Sequence, residues 1–216
     1  MRTEPVSSSR PYTSPLRALQ AEQARELVLD AAVDLLAEEG AAALSNRAVA
    51  RRAGVSPPTV ARYFPTPDDL LRGIDERLTH RLGVTRVNLD GDGVLAALRT
   101  IYEGMEREER VMRAYLAAPA SREHGRRRRR RFIETAFAPR LASLSEKDRE
   151  AVLATLQLFM SSATWSLFRD VWGIRGADAA HVAHWAMCTL LAAASAHPPS
   201  SLPLPSRNPF DPEPPP

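Results

Sequence analysis

The sequence predicts an all-helical protein, and three observations carry that expectation. Apolar residues recur every three to four positions over most of the chain, as in Leu27, Ala31 and Leu35 or in Val152, Leu156 and Phe159, a spacing that gathers them on one face of a helix. Strand-like alternation of any length is missing, so a sheet has no support. Residues suited to helix ends punctuate the chain: Ser45, Ser56, Thr66 and Ser145 before apolar runs, and Gly40 and Gly54 after them, matching N-caps and left-handed C-caps.

Taken in order, a first helix over 21–38 stops at Gly40. A second starts after Ser45 and stops before Gly54. The third begins at Ser56, with Pro57 and Pro58 in the first helical positions, where missing N–H groups cost little. The residue before a proline resists the helical region, so this pair also predicts local strain. Thr66 opens a fourth helix, with Pro67 at its first position and Asp69 three residues past the cap, reaching His80. Longer helices follow near 92–105, 107–118, 121–144, 146–172 and 177–195, with Ser145 and Asp148 spaced as a capping box. Residues 1–20, rich in Ser, Pro and Arg, read as a disordered arm, and 197–216 as a proline-rich tail; neither buries enough apolar surface to fold alone. The expected division is an arm over 1–20, a small helical unit over 21–81, a larger one over 82–196, and the tail.

Composition narrows the function classes. With 216 residues, 44% of them hydrophobic and 25% charged, the chain can bury a real core. The formal net charge is only +3, while the pI of about 9.5 permits an anionic partner. One cysteine, Cys188, cannot close an intramolecular disulfide, and the N-terminal residues lack the apolar core of a signal peptide, so a reducing cytoplasm is the expected compartment. The apolar stretch 177–196 carries Asp178, His181 and His184 and reads as a buried helix instead of a membrane span. No G-x-S-x-G, P-loop, H-E-x-x-H or paired-cysteine signal is present, so neither an enzyme nor a cofactor is expected. His181 and His184 share a helix face, but no acidic or cysteine cluster completes a metal set.

The stretch 45–64, SNRAVARRAGVSPPTVARYF, is two short helices around a turn at Gly54. That is a helix-turn-helix pattern, in which the second helix enters the DNA major groove. Ala50, Val55 and Val60 pack the pair together, with Phe64 also expected in the core. Arg47, Arg51, Arg52 and Arg62 face no acidic residue between Ser45 and Phe64, so phosphates are the natural counterions.

Residues 26–71, ELVLDAAVDLLAEEGAAALSNRAVARRAGVSPPTVARYFPTPDDLL, resemble the N-terminal domain of the TetR family of bacterial transcriptional regulators. The likeness rests on A-A-x-x-L-L-A-E-x-G, the A-x-x-A-G-V-S turn, T-V and Y-F in the third helix, and D-D-L-L at the start of the fourth. It implies an all-α fold: a three-helix DNA-binding domain over 21–81, then a C-terminal ligand-binding and dimerisation domain. It further implies a homodimeric regulator, most often a repressor, released from a palindromic operator by an apolar small molecule that shifts the fourth helix. Carried over by position, Ser45, Asn46 and Arg47 contact DNA from the start of helix two. Ser56, Pro57, Pro58, Thr59, Arg62 and Tyr63 form the groove-facing surface, with Arg62 able to reach guanine or phosphate and Thr59 phosphate or a thymine methyl. Ala61 and Pro67 stand where the family usually has a phosphate-holding tyrosine and lysine, so an alternative is a TetR-fold ligand- or partner-binding dimer with weakened DNA binding. The arm residues Arg2, Arg10 and Arg17 are candidates for minor-groove contact.

In the C-terminal part, Tyr102, Met105, Met112, Tyr115, Phe132, Phe137, Phe159 and Trp165 are candidate pocket-lining residues, each also readable as plain core. Phe168, Trp172, Trp185 and Leu190 are candidates for the subunit interface that the resemblance places on the last two helices. Arg126 to Arg131 point all round a helix and cannot form one DNA-facing stripe. Ion pairing with the nearby Glu103, Glu106, Glu108 and Glu109 is the expectation.

Overall fold

Ten α-helices joined by short turns make up residues 15–84 and 90–201, the parts described by the computed structural model, with no strand among the described residues. Helix α1 (Pro15–Glu39) begins earlier than expected: residues 15–20 are helical rather than part of a disordered arm, because proline fits a first helical position and LRALQ contains no helix breaker. Arg17 therefore sits on α1, while Arg2 and Arg10 lie outside the described residues. Val28, Leu29, Ala32, Val33 and Leu36 are buried on α1. Leu27 is 56% exposed despite its spacing from Ala31 and Leu35, since a strict four-residue period drifts around a 3.6-residue helix.

Helices α2 (Asn46–Ala53), α3 (Pro57–Tyr63) and α4 (Pro67–Arg81) start at the caps read from sequence. Ser45 accepts from the Ala48 N–H at 3.2 Å, and Thr66 and Asp69 bond reciprocally in a capping box. The Pro57–Pro58 pair is accommodated without the expected departure from helix: both occupy the first turn of α3, whose N–H groups have no intrahelical acceptor anyway. Helix α4 lies along α1 and is fastened by a ladder of charges. Arg77 grips Asp30 at 2.6 and 2.9 Å and also meets Glu26, and Arg81 bonds Asp30 at 2.9 Å.

The larger half is α5 (Gly91–Arg107), α6 (Glu109–Leu116), α7 (Pro119–Phe137), α8 (Glu146–Phe159), α9 (Ser162–Trp172) and α10 (Gly176–Ala196). Two expected helices are broken. The 146–172 segment divides at Met160–Ser161 and bends by 54°, because the Ser161 hydroxyl caps α9 by accepting from the Thr164 N–H at 3.1 Å. The 121–144 segment ends its α-helix at Phe137 and continues as a 3₁₀ turn over Ala138–Leu141, where Pro139 has no N–H to continue the ladder. Trp165, Tyr102 and Phe137 are fully buried at the centre. Helix α10 is long and apolar enough to cross a membrane by length and composition; where the sequence predicts a buried helix, it is buried along one face only, through Ala179, Ala180, Ala183, Met187 and Ala194, because it packs along α5 and α8 and leaves Trp185 outward. Of the expected tail, Ser200 docks on Asp148 through its N–H at 2.7 Å and its hydroxyl at 2.8 Å; residues 202–216 lie outside the described residues.

Candidate nucleic-acid interface and the cavity behind it

The α2–α3 unit is built from a tight turn. Gly54 adopts φ +67°, the left-handed conformation glycine tolerates, and the Val55 N–H returns to the Ala50 carbonyl at 3.0 Å. Val49, Ala50, Val60 and Phe64 are buried, with Val55 half-buried against them. This leaves Arg47, Arg51, Ser56, Pro57, Pro58, Ala61 and Arg62 exposed on the surface of α2 and α3, with Asn46, Thr59 and Tyr63 half-buried beside them. The Ser56 and Thr59 hydroxyls bond each other at 2.8 Å. Arg62 donates to the Tyr63 hydroxyl at 3.0 Å and lies 4.8 Å from its ring centroid, which holds the guanidinium extended along the surface of α3. Ser45 is exposed and acts as the α2 cap.

The charge of this surface is lower than its sequence suggests. Arg52 forms a two-pronged pair with Glu38 at 2.5 and 2.6 Å, and that arginine holds the Glu38 carboxyl below the usual carboxylate range. Arg47, Arg51 and Arg62 therefore carry the exposed positive charge of α2 and α3. The spacing gave no sign of this, since Glu38 lies fourteen residues upstream of Arg52.

Helix α4 connects the surface to the interior. Gly73 faces Leu29 and Phe64 so closely that a Cβ there would lie 2.7 Å from Leu29 Cδ2 and 2.8 Å from Phe64 Cε1. Beyond Gly73 the same helix walls a cavity of about 420 Å³ lined by Glu76, Thr79, Leu82, Val84, Ile101, Met105, Arg128, Arg129, Phe132 and Met160. Met105 and Phe132, two of the candidates, lie in that wall. Tyr115 instead lines a separate cavity of about 280 Å³ between α6, α7, α8 and α9. Tyr102, Met112, Phe137 and Trp165 are buried core that does not line the larger cavity, and half-buried Phe159 takes part through its carbonyl, which accepts the Tyr102 hydroxyl at 2.7 Å.

Asp75, on the inward face of α4, is 5% exposed. It accepts the Tyr115 hydroxyl at 3.0 Å and pairs with Arg128 Nε at 2.8 Å. Burial pushes the Tyr115 phenol well above its usual range, so it remains a donor. A Cβ at Gly125 would fall 2.1 Å from the Tyr115 hydroxyl oxygen; glycine is what lets α7 approach this group. The arginine run thus differs from expectation in its partners. Arg127 pairs with Glu123, Arg130 with Glu134 and Glu150, and Arg128 with Asp75. Glu106 and Glu109 are taken by Arg169, Glu103 by Arg99, and Glu108 lies 3.8 Å from Arg81. The reason is packing: α7 lies against α4 and α8, which brings Asp75 and Glu150 to it.

Residues 28–74, spanning α1 to the middle of α4, match the family model of the bacterial regulatory proteins, tetR family. That stretch is similar to the N-terminal DNA-binding domain of this family. The chain is 33% identical over 108 residues to an uncharacterized HTH-type transcriptional regulator of Haemophilus influenzae, an overlap of 47% of this chain and 53% of the relative. It is 40% identical over 85 residues to the HTH-type transcriptional repressor LfrR of Mycolicibacterium smegmatis, covering 38% of this chain and 43% of LfrR. The aligned stretch thus spans about half the length of these relatives. The fold is similar to the crystal structure of NalD, described as the secondary repressor of the MexAB-OprM multidrug efflux pump in Pseudomonas aeruginosa, with a TM-score of 0.53 and 17% identity over 79% of this chain and 96% of that one.

In the C-terminal half the candidates for a subunit interface separate. Trp172 and Trp185 are 68% and 64% exposed, and Leu167 and Val171 join them as exposed apolar residues. Phe168 instead stacks on Tyr102 with ring centroids 6.3 Å apart, and Leu190 is half-buried against the core. His184 lies 3.7 Å from the Cys188 sulfur, and no group of three His, Cys, Asp or Glu residues converges among the described residues.

Proposed function

We propose that this chain is a ligand-responsive, homodimeric repressor that binds a palindromic operator through α2 and α3 and is released by a small molecule in the cavity behind α4. The observation that carries this reading is the continuity of α4: its middle packs through Gly73 on Phe64 at the end of α3, and the turns that follow wall the cavity with Glu76 and Thr79. An apolar-walled space of about 420 Å³ falls in the range of small-molecule sites. LfrR, which aligns with this chain, is named as a repressor, and repression is carried over on that basis. Dimerisation is supported by the exposed Leu167, Val171, Trp172 and Trp185, an apolar surface of the kind that marks an association site. A chain acting on bacterial DNA works in the cytoplasm. The DNA-binding unit, effector unit and tail divide the chain at about 81 and 196.

Selection of bound sequences from a random DNA library tests this reading. The expected product is a palindrome with half-sites about 34 to 36 Å apart, lost on Arg47→Ala or Thr59→Ala and retained when the exposed Arg126, Arg127, Arg130 and Arg131 are neutralised. Recovery of no motif, or of binding that needs only the arginine run, refutes it. The alternative, a TetR-fold ligand-binding dimer with weak DNA affinity, draws on exposed Ala61, on Pro67 and on the neutralised Arg52. Replacing Ala61 by Tyr and Pro67 by Lys separates the two: specific binding that arises only in the double variant supports the alternative.

A further inference from the structure

The cavity behind α4 contains a charge that the protein leaves unanswered. Arg128 and Arg129 both line it, among Leu82, Val84, Ile101, Met105, Phe132 and Met160. Arg128 has its counter-charge in Asp75, 2.8 Å away. Arg129 Nε is buried and without a hydrogen-bond partner, and no carboxylate of the described residues lies within ion-pair distance of its guanidinium. Burial pushes the Arg129 pKa below the ordinary arginine range. It remains a cation all the same, because arginine holds its proton at any pH the protein meets.

The count of charges in this group is unbalanced. Asp75 contributes one negative charge, and Arg128 and Arg129 contribute two positive ones. The other carboxylate in the wall, Glu76, is exposed and lies 3.6 Å from Arg25 of α1. Tyr115, kept protonated by burial, directs its hydroxyl to Asp75 and supplies no negative charge. Arg129 also borders the smaller cavity beside Arg126, Gln157, Ser161 and Ser162, so empty space flanks it on two sides where a partner would otherwise pack. Arg129 is half-buried overall, and its buried Nε–H has no acceptor, which costs a folded protein stability; a ligand anion that accepts from it removes that cost.

We propose that the effector is an organic acid: an apolar body seated against Leu82, Ile101, Met105, Phe132 and Met160, and one anionic group, carboxylate or its equivalent, held by the guanidinium of Arg129 with Arg128 beside it. The inference rests on the effector reading of this cavity and adds the chemical class. It excludes cationic and neutral lipophiles as preferred ligands. An anion at Arg129 also competes with Asp75 for Arg128, and Asp75 belongs to α4, so occupancy bears directly on the helix that carries the DNA-facing unit.

The test uses the full-length protein and three sets of matched probes: octanoate, decanoate and 2-naphthoate, each beside the alcohol and the amine of the same skeleton. Binding is read by calorimetry and tryptophan fluorescence, at concentrations below micelle formation. The expected result is that at least one acid binds tenfold or more tightly than its matched alcohol and amine. Arg129→Gln removes that preference, whereas Arg131→Gln, an exposed neighbour in the same run, keeps it. Equal binding of acid, alcohol and amine in all three sets, no binding of any acid, or an acid preference that survives Arg129→Gln overturns the proposal.

A ligand-free measurement guards against misfolding of the variant. Arg129→Met is expected to raise the urea midpoint of the empty protein, since it removes a half-buried cation whose inner N–H has no acceptor; a lowered midpoint means that Arg129 already has its partner, and overturns the proposal. Release of selected operator DNA is recorded separately. Acid-selective binding without release supports the acid site and sinks the effector reading, while release by alcohols or amines but not by acids keeps the regulator and overturns the acid.

Discussion

Replacing Asp75 by asparagine removes the single negative charge of the buried group behind α4 while keeping its shape. Asparagine Oδ1 can still accept the Tyr115 hydroxyl, so the 3.0 Å bond survives in weaker form. What is lost is the counter-charge of Arg128, 2.8 Å away, leaving two guanidinia side by side. Removing one partner of a fully buried pair costs about 3 to 5 kcal/mol. Asp75 is 5% exposed, but the Arg128 side chain is 40% exposed and can turn toward water. The expected loss is therefore about 2 kcal/mol, below that range because one ion recovers its hydration. With a urea slope of about 2 kcal/mol per molar, the midpoint should fall by roughly 1 M. Urea titration at pH 7, followed by circular dichroism, measures it. Adding Arg129→Met to Asp75→Asn should restore about half of the loss by relieving repulsion between the two arginines. A midpoint within about 0.2 M of wild type for Asp75→Asn, or a double variant less stable than the single, would refute the charge accounting.

Gly73→Ala should cost about 1 to 3 kcal/mol, because its methyl overlaps Leu29 and Phe64, both buried; thermal unfolding checks it, and operator affinity should drop in the same variant. Acidification should destabilise the protein. Hydrogen bonds from Arg77 and then Arg81 hold Asp30 below its usual pKa, and Arg113 and Ser166 hold Asp170 at about 2. The unfolded chain binds those protons first, so their stabilising contribution is complete above the unfolded value near 3.8 and is lost as pH falls through the folded values. Urea midpoints at pH 6, 4 and 3 should fall steadily, with a shallower fall in Asp30→Asn. Trp172→Glu combined with Trp185→Glu should convert a dimer to a monomer in sedimentation while leaving the helical circular dichroism intact, since both side chains lie on the outer surface.

The helix-turn-helix part was legible because its signals are local. Ser45, Ser56 and Thr66 cap the helices they precede, and Gly54 turns the chain where a side chain resists doing so. A cap acts within three residues, and so does the pattern that reveals it. The cavity was legible in part: Met105 and Phe132 stand out as large apolar residues, but Leu82, Ile101 and Met160 look like any core residue until packing leaves space beside them. The charges were least legible. Arg128 meets Asp75 from 53 positions away and Arg52 meets Glu38 from fourteen, distances at which sequence spacing carries no information. The division of 146–172 was missed for another reason: its apolar period continues through Met160, and only the Ser161–Thr164 cap marks the change of direction.

The crowding at Gly73 makes α4 a balance beam. From Gly73 the helix runs six residues back to Pro67 and eight forward to Arg81, about 9 and 12 Å along the axis, so the crowded point stands near its middle. If α4 moves as a rigid rod about that point, an outward push on the cavity arm is returned at the Pro67 end with the opposite sign. The Arg77 and Arg81 pairs with α1 lie on the cavity arm and act as its return spring. Stiffening that spring should demand more of any effector, and loosening it should let the beam swing unaided.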